Sequence, residues 1–164
     1  LKIGTKIAIM ESARIIQQDE PEQIVLNPAT EYVEKFVAHT NPLNVLCGSA
    51  LMTPIAELAT KEARFSVGEN LWLALDEGQF QAVYNHEEEV ASAQWAPGMP
   101  IEQVPANTVV RVDETITMRD AVEIRYHTDR PIVLENAGQC VGILSDHNFY
   151  HALLGKHFSR TETP

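Results

Sequence analysis

Two histidines near the end of the chain are spaced for metal chemistry. His147 and His151 lie four residues apart, so a helix would present both on one face, and such a pair can bind zinc when a third ligand converges. The sequence places no third ligand, and the intervening residues lack the glutamate of a metalloprotease motif. We predict solvated helix-face residues and no metal site, with a metal-assisted hydrolase as the open alternative.

An acidic run and two tryptophans could each attract a cation. Residues 86–89, with the sequence HEEE, are more typical of an acidic helix start, which the helix dipole favours. Trp72 and Trp95 could form an aromatic cage for a quaternary ammonium. Trp72 lies in an apolar strand pattern, however, and a core role is the preferred interpretation.

The sequence offers no machinery for nucleophilic catalysis or phosphoryl transfer. No Ser-His-Asp or Cys-His arrangement can be assembled from its motifs. The phosphate-loop pattern G-x-x-x-x-G-K-[ST] does not occur in these residues. We therefore predict that this chain is not itself an enzyme and has no catalytic residue.

Composition excludes several classes of partner. The chain has 164 residues, of which 45% are hydrophobic, which is sufficient for a packed core. Its formal charge of −11 argues against nucleic acid as a partner, and the acidity is concentrated in residues 41–105, which carry −7. No apolar run approaches the roughly 20 residues that a membrane helix needs, so we predict no direct membrane insertion. The widely separated Cys47 and Cys140 indicate a reduced, cytoplasmic setting.

The first forty residues predict a small α+β unit. Alternating residues predict a β-hairpin over residues 6–18, and Pro21 can begin a short helix that ends at Leu26. Asn27 followed by Pro28 predicts the start of a second helix over residues 28–38. The apolar stripe of that second helix needs a surface to pack on and consists of Tyr32, Val33, Phe36 and Val37.

The remainder contains a weak internal repeat at an offset of 60 residues. Residues 75–88 align with residues 135–148, each as a strand, a polar turn that ends in Gly-Gln, a second strand and a helix-like run. Upstream of each lies a predicted helix, PIAELATKEAR in the first copy and TMRDAVEIRYH in the second. In the latter, Thr117 and Asp120 have capping-box spacing. One face of that helix would consist of Met118, Ala121, Val122 and Tyr126.

This repeat resembles a tandem pair of cystathionine-β-synthase (CBS) modules. Residues 109–155 follow the family order of strand, capped helix, strand, glycine turn, strand and helix, whereas the first copy is degenerate. The resemblance implies an α+β fold of two βαββα repeats with pseudo-twofold symmetry. It divides the remainder into residues 41–98 and residues 99–164.

The opening segment resembles a different family, the ATPase domains of importers for glycine betaine, proline and choline. The family pattern is matched by Gln17, Pro21, Ile24, Pro28, Tyr32, Val33 and Phe36. This resemblance implies that residues 1–40 are the end of an ATPase domain, which tandem CBS modules follow in that family. The usual Asp-Gly hairpin turn is replaced by Ser12-Ala13, so we predict a different turn shape.

The CBS resemblance also implies a nucleotide site in the second copy. In such modules a hydroxyl at a helix N-terminus meets phosphate and a carboxylate holds ribose. Ser145 matches the hydroxyl, and Asn148 stands where the family prefers Asp. The implied apolar slot consists of Val112, Pro131, Ile132 and Val133. The alternative is that Ser145 only caps the last helix.

Together these observations predict a regulatory region of an ATP-binding subunit. It would modulate ATP-driven uptake in response to ionic strength or to an adenine nucleotide such as AMP, ATP or a cyclic dinucleotide. The resemblance implies a homodimer through the CBS pairs and contact with membrane-spanning transporter subunits at the cytoplasmic face of the membrane. A stand-alone nucleotide-binding module, or a dimerisation element with no ligand, is the alternative.

Overall fold

The N-terminal unit is a β-hairpin followed by two short helices. The computed structural model describes residues 5–154. The four elements are β1 (Ile7–Glu11), β2 (Arg14–Asp19), α1 (Pro21–Leu26) and α2 (Glu31–Val37). The hairpin and α1 confirm the sequence prediction. The second helix begins three residues later than predicted, because Thr30 rather than Asn27 caps it by accepting a hydrogen bond from the Val33 amide.

The turn of this hairpin has the left-handed backbone conformation that Asp-Gly favours, although its residues are Ser12 and Ala13. Ser12 and Ala13 have φ of 50° and 63°, so both adopt the left-handed conformation that two-residue type I′ hairpin turns require. The prediction of a different turn shape was therefore wrong. The strand pairing on either side fixes a two-residue loop, with Glu11 opposite Arg14, and this closure holds both residues in the left-handed region.

A connecting segment leads into the rest of the molecule. It contains a 3₁₀ turn at Pro42–Asn44, the single-turn helix α3 (Gly48–Leu51), the two-residue strand β3 (Thr53–Pro54) and a second 3₁₀ turn at Ile55–Glu57. β3 joins the edge of a five-stranded sheet that is otherwise formed late in the sequence. This segment therefore connects the N-terminal unit to the C-terminal part of the fold.

Residues 60–90 form an antiparallel β-meander. Its strands are β4 (Thr60–Lys61), β5 (Arg64–Gly68), β6 (Leu71–Asp76), β7 (Gln79–Asn85) and β8 (Glu88–Val90). The helix predicted over PIAELATKEAR is wrong, because Glu62 and Ala63 form a left-handed turn that pairs Thr60 with Phe65. The helix start predicted at residues 86–89 is also wrong. His86 has a φ of 54° and begins the turn into β8.

The C-terminal half has the predicted order of strand, helix, strand, strand and helix. It consists of β10 (Val109–Asp113), α4 (Met118–Thr128), β11 (Ile132–Asn136), β12 (Gln139–Leu144) and α5 (Asp146–Leu154). The short strand β9 (Ser92–Gln94) precedes it, and a 3₁₀ turn lies at Ile101–Gln103. The central sheet has the order β3-β12-β11-β10-β9. The capping prediction for α4 is confirmed in part, since Thr117 Oγ1 accepts a hydrogen bond from the Asp120 amide at 3.1 Å.

The two copies of the predicted repeat share the same hairpin structure, but the elements that follow the hairpins differ. In β6–β7 and β11–β12 the pairing shifts at positions 60 residues apart, between Ala74 and Leu75 and between Leu134 and Glu135. The two turns also match, because Gly78 and Gly138 have φ of 82° and 81°. After these hairpins the first copy continues as a strand and the second as α5.

Two hydrophobic clusters lie on opposite faces of the central sheet and give the main body three layers. One cluster packs α4 and α5 against residues such as Val110, Val112 and Ile132. The other packs the meander against Val133 and Ile143. On α4 the buried residues are Met118, Ala121, Ile124 and Thr128. Tyr126 is 91% exposed, so its predicted place on the packed face was wrong.

The N-terminal unit has a small cluster of its own. Val33 of α2 is buried against Ile9 and Ile24, so this helix packs on its own hairpin. Val25 and Leu26 of α1 pack against the helix-side cluster of the main body. The predicted stripe is thus split, with Val33 inside and Tyr32 and Phe36 exposed.

Candidate functional site

The six residues of the predicted nucleotide site do not share one surface. Val112 and Ile132 are buried in the cluster on the helix side of the central sheet, and Val133 is buried in the cluster on the meander side. Because neighbouring residues of a strand face opposite sides of a sheet, Ile132 and Val133 cannot line one slot. Pro131 and Ser145, in contrast, line the same cavity.

This cavity lies between the meander and the beginnings of the C-terminal elements. It has a volume of about 200 Å³ and is lined from the meander side by Val67, Gly68 and Glu69. From the other side it is lined by Arg125, Pro131, Ser145, Asp146 and His147. Such a volume is below the range of about 300–1,000 Å³ that is usual for small-molecule sites.

Arg125 is the centre of an ion-pair network in this cavity. Its guanidinium donates to Glu69 Oε1 at 2.6 Å and to Asp146 Oδ1 at 2.8 Å. Burial lowers the pKa of Arg125, but the Asp146 hydrogen bond and the charges of Glu69 and Asp146 outweigh burial and raise that pKa above its ordinary value. Arg130 adds a weaker contact to Glu69 Oε2 at 3.4 Å. The network links a meander turn to both α4 and α5.

Asn148 is used for structure. Its side-chain oxygen accepts hydrogen bonds from the Ser145 amide and hydroxyl at 2.8 and 2.9 Å, and its amide donates to the Leu51 carbonyl at 2.6 Å. A further hydrogen bond of 3.2 Å joins it to Thr53 Oγ1. Ser145 lies directly before α5, so this pair forms part of the first turn of that helix. The polar atoms proposed for phosphate and ribose are thus already partnered.

The two histidines lie on α5, and the two tryptophans lie in different parts of the fold. His147 is exposed and His151 is partly buried on α5. Within residues 5–154, no group of three or more His, Cys, Asp or Glu side chains is arranged to hold a metal ion. Trp72 and Trp95 line two different cavities, so they do not form one cage. The structure thus places the two tryptophans apart, whereas the two histidines share α5.

The sequence did not single out the network as a site. Glu69 and Arg125 are 56 residues apart, and neither stands in a recognisable motif. The available signal was Gly68 and Asn70, because both residue types favour a tight turn after an apolar strand and so place the Glu69 carboxylate at the edge of the meander. Its basic partner could be found only from the packing of the layers.

Comparisons with known proteins identify a class of relatives. Over 52 residues, 32% of this chain, it is 42% identical to the glycine betaine transport ATP-binding protein of Bacillus subtilis, but this covers 12% of that protein. Over 36 residues it is 58% identical to the trimethylamine N-oxide transport system ATP-binding protein of Pelagibacter ubique, covering 22% of this chain and 11% of that protein. A longer match reaches the carnitine transport ATP-binding protein of Listeria monocytogenes, at 22% identity over 75% of this chain and 34% of that protein.

These relatives confirm the resemblance to ATP-binding proteins of glycine betaine-type transport systems. The chain spans about an eighth of the length of the first two relatives, 12% and 13%. No family model and no solved structure matches the chain. No helix in residues 5–154 is long and apolar enough to cross a membrane.

Proposed function

We propose that this chain is a regulatory, non-catalytic part of the ATP-binding subunit of an osmoprotectant importer. The observation that carries the proposal is the similarity to transport ATP-binding proteins for glycine betaine, carnitine and trimethylamine N-oxide. In this proposal residues 1–40 end the ATPase domain, and residues 41–98 and 99–164 are a degenerate and a regular CBS repeat. The βαββα order of residues 109–154 supports the second assignment.

The signal that we favour is ionic strength. The ion pairs of Arg125 lie at the junction of the meander with α4 and α5, and the side chains of Glu69 and Asp146 are 39% and 54% exposed. Dissolved salt therefore reaches the contacts that join the layers. The acidic edge of the meander has Glu88 and Glu89 exposed on β8. When two copies of the chain approach each other through this edge, these charges repel, and this repulsion also depends on salt.

In this proposal the subunit works as a homodimer at the cytoplasmic face of the membrane, held there by membrane-spanning subunits. Salt screens repulsion between the acidic meanders and so shifts the balance between two arrangements of the dimer. The change in the dimer arrangement then changes the rate of ATP-driven uptake by the transporter. The parent subunit is the ATPase, and this chain supplies no catalytic group.

Sedimentation equilibrium of the chain at two salt concentrations tests the mechanism. Between about 0.1 M and about 1 M potassium chloride the Debye length falls from about 10 Å to about 3 Å, so we expect the association constant to rise. Replacing Glu88 and Glu89 by Gln should remove most of this rise. Replacing Glu11 and Glu20, which are also exposed but lie in the N-terminal unit, by Gln removes the same amount of charge and is the control. An association constant indifferent to salt would reject ionic strength as the signal.

A second candidate is binding of an adenine nucleotide beside Ser145. The observation that favours it is that Pro131, Ser145 and Arg125 line one cavity. Calorimetry with AMP, ATP and a cyclic dinucleotide at millimolar concentration tests it, with Ser145→Ala as the site variant and His151→Ala, on the same helix, as the control. Heat with the unaltered chain that Ser145→Ala removes would support nucleotide binding. If none of the three nucleotides gives heat, nucleotide binding is rejected and Ser145 serves only at the start of α5.

A further inference from the structure

The N-terminal unit contacts the main body through a small docking interface, with α1 on one side and the connecting segment with the helix-side cluster on the other. Its own core of Ile9, Ile24 and Val33 makes the unit a separate small body. From α1, Val25 and Leu26 pack, partly buried, against the helix-side cluster. Units of one chain that share a small interface can move relative to each other. The docking interface is therefore a joint at which the N-terminal unit can dock or separate.

One thiol lies in this docking interface. Cys47 directly precedes α3 in the connecting segment and is partly buried. Burial first, and then the nearby Glu22 of α1, raise the pKa of the Cys47 thiol. Because Glu22 and Cys47 belong to opposite sides of the interface, separation of the two sides would expose the thiol and lower its pKa. The reactivity of Cys47 therefore reports whether the N-terminal unit is docked.

The first turn of α4 holds the main-body side of the docking interface. The Met118 amide donates a hydrogen bond to the carbonyl of Leu46, the residue before Cys47, at 2.9 Å. Arg119 Nε donates to Asn44 Oδ1 at 2.7 Å. These two hydrogen bonds fasten the connecting segment to the start of α4. A shift of the first turn of α4 would therefore move one side of the docking interface.

The last turn of α4 carries the salt-exposed ion pairs. Arg125 contacts Glu69 of the meander at 2.6 Å and Asp146 of α5 at 2.8 Å. Between the two ends, α4 is an unbroken α-helix of 11 residues, which is about 16 Å long. Rigid helices can carry energetic coupling between distant contacts. A change in the ion pairs at the end of α4 is therefore felt at its start.

We propose that α4 couples the ion pairs of Arg125 to the docking of the N-terminal unit. With the ion pairs intact, α4 is held at both ends and the unit stays docked. When salt screens the ion pairs, α4 shifts, Val25 and Leu26 pack less well, and the separated state becomes more populated. The consequence for transport rests on the proposed function: because residues 1–40 would end the ATPase domain, α4 would carry the ionic-strength signal to that domain.

Labelling of the two thiols with N-ethylmaleimide measures the docking. Cys47 and Cys140 are the two cysteines of the chain, and peptide mass spectrometry follows each of them separately. Cys140 is buried between the meander and the central sheet, so its labelling reports opening of the main body. Faster labelling of Cys47 than of Cys140 would show that the unit separates while the main body stays folded. The chain is used at a concentration at which sedimentation shows a monomer, so that self-association does not contribute.

Glu69→Gln should raise the labelling rate of Cys47 about two- to fivefold at about 0.1 M potassium chloride, because it weakens a partly exposed ion pair. Raising the salt to about 1 M should raise the rate of the unaltered chain and change that of the variant little. Glu77→Gln is the control, since Glu77 also starts a left-handed turn of the meander but makes no ion pair in residues 5–154. It should leave the rate unchanged.

A second pair of variants tests transmission through the helix. Glu123→Gly weakens α4 at an exposed position between its two ends, whereas Glu123→Ala keeps it helical. The effect of Glu69→Gln on Cys47 should largely disappear with Glu123→Gly and persist with Glu123→Ala.

Three results would each overturn the proposal: an effect of Glu69→Gln that persists with both changes at Glu123, equal effects of Glu69→Gln and Glu77→Gln, or a Cys47 rate that never exceeds the Cys140 rate. If the association constant of the chain still depends on salt, such a result rejects α4 as the route of the signal and leaves the proposed function standing.

Discussion

Asn148 is the residue whose role changed most between sequence and structure. It was expected to help hold a ribose, yet it is only 5% exposed and makes hydrogen bonds to four different groups. Two of these groups belong to Leu51 and Thr53, almost a hundred residues earlier in the chain. Asn148 therefore joins the start of α5 to the connecting segment.

Replacing Asn148 by Ala should destabilise the fold by about 2–3 kcal/mol, because buried hydrogen-bonding groups of both segments would lose their partner. Urea unfolding followed by circular dichroism measures the loss. His147→Ala changes an exposed neighbour on the same helix and should cost no more than about 0.5 kcal/mol. Equal losses in the two variants would show that the hydrogen bonds of Asn148 contribute little.

Cys140 carries a pH dependence that arises from its place between two layers. It is buried in the cluster shared by the meander and the central sheet. Burial first, and then the charge of Glu135, raise the pKa of its thiol to about 11. An unfolded chain would ionise this thiol near 9.0. The native state thus holds the proton more tightly than the unfolded state.

This difference stabilises the protein fully below about pH 9, and the contribution is lost as pH rises towards about 11. We expect a decline of about 2 kcal/mol in the free energy of unfolding over that window. Urea titrations at a series of pH values measure it. Other groups also titrate there, so the test is the slope against pH.

Cys140→Ala should flatten that slope, whatever stability the variant has at neutral pH. Cys47→Ala, which alters a half-buried thiol elsewhere, should keep most of it. A Cys140→Ala variant with the slope of the parent would assign the decline to other groups.

At the scale of elements, paired strands overrode local helical preference. In residues 54–64 the apolar residues Ile55, Leu58 and Ala59 have helical spacing, and Ala, Glu and Lys favour helices. The fold instead turns the chain at Glu62-Ala63 and packs Ile55 and Leu58 against the meander-side cluster. The repeated hairpins could be predicted, because a Gly-Gln turn between apolar strands is a local signal.

The turn after β5 couples two elements through Glu69. Glu69→Gln should lower stability by about 1 kcal/mol, since Arg125 and Arg130 would lose a charged partner. The loss should shrink at about 1 M salt, where screening already weakens the contact. Denaturant unfolding at low and high salt measures both effects.

Glu77→Gln is the matched control for this change. Glu77 also starts a left-handed two-residue turn, with a φ of 47° against 52° for Glu69, and it makes no ion pair in the described residues. It should change stability little at either salt concentration. A Glu69→Gln loss that equals the Glu77→Gln loss would exclude a stabilising role for the network.

At the scale of the whole molecule, the N-terminal unit leaves an apolar surface uncovered. Met10 and Ile15 form a cross-strand pair, each 56% exposed, and Phe36 is 60% exposed on α2. Tyr32 links the two elements through a 3.5 Å hydrogen bond to the Met10 carbonyl. Exposed apolar patches of this kind mark interaction surfaces.

Phe36→Ser should reduce the binding of a hydrophobic dye to the chain and reduce its self-association, because it removes the most exposed apolar side chain of this surface. Dye fluorescence and sedimentation velocity measure the two effects. Tyr150→Ser, at an aromatic residue that is also 60% exposed, is the control and should change neither. Equal effects of the two changes would mean that the N-terminal surface contributes no more to dye binding and self-association than another exposed aromatic residue does.

The sequence by itself determined the features that depend on neighbours along the chain. These are the N-terminal hairpin and α1, the repeated hairpins, the βαββα order of the C-terminal half and the resemblance to transport ATP-binding proteins. Alternation in a strand, a cap before a helix and a glycine in a turn all act within a few residues.

Only the tertiary structure decided the sites. Sheet pairing assigned Val112 and Ile132 to one core and Val133 to another, and layer packing brought Glu69 to Arg125. It also joined Arg119 of α4 to Asn44 of the connecting segment. These contacts join residues far apart in the chain, and their energies depend on burial and charge that exist only once the layers have packed.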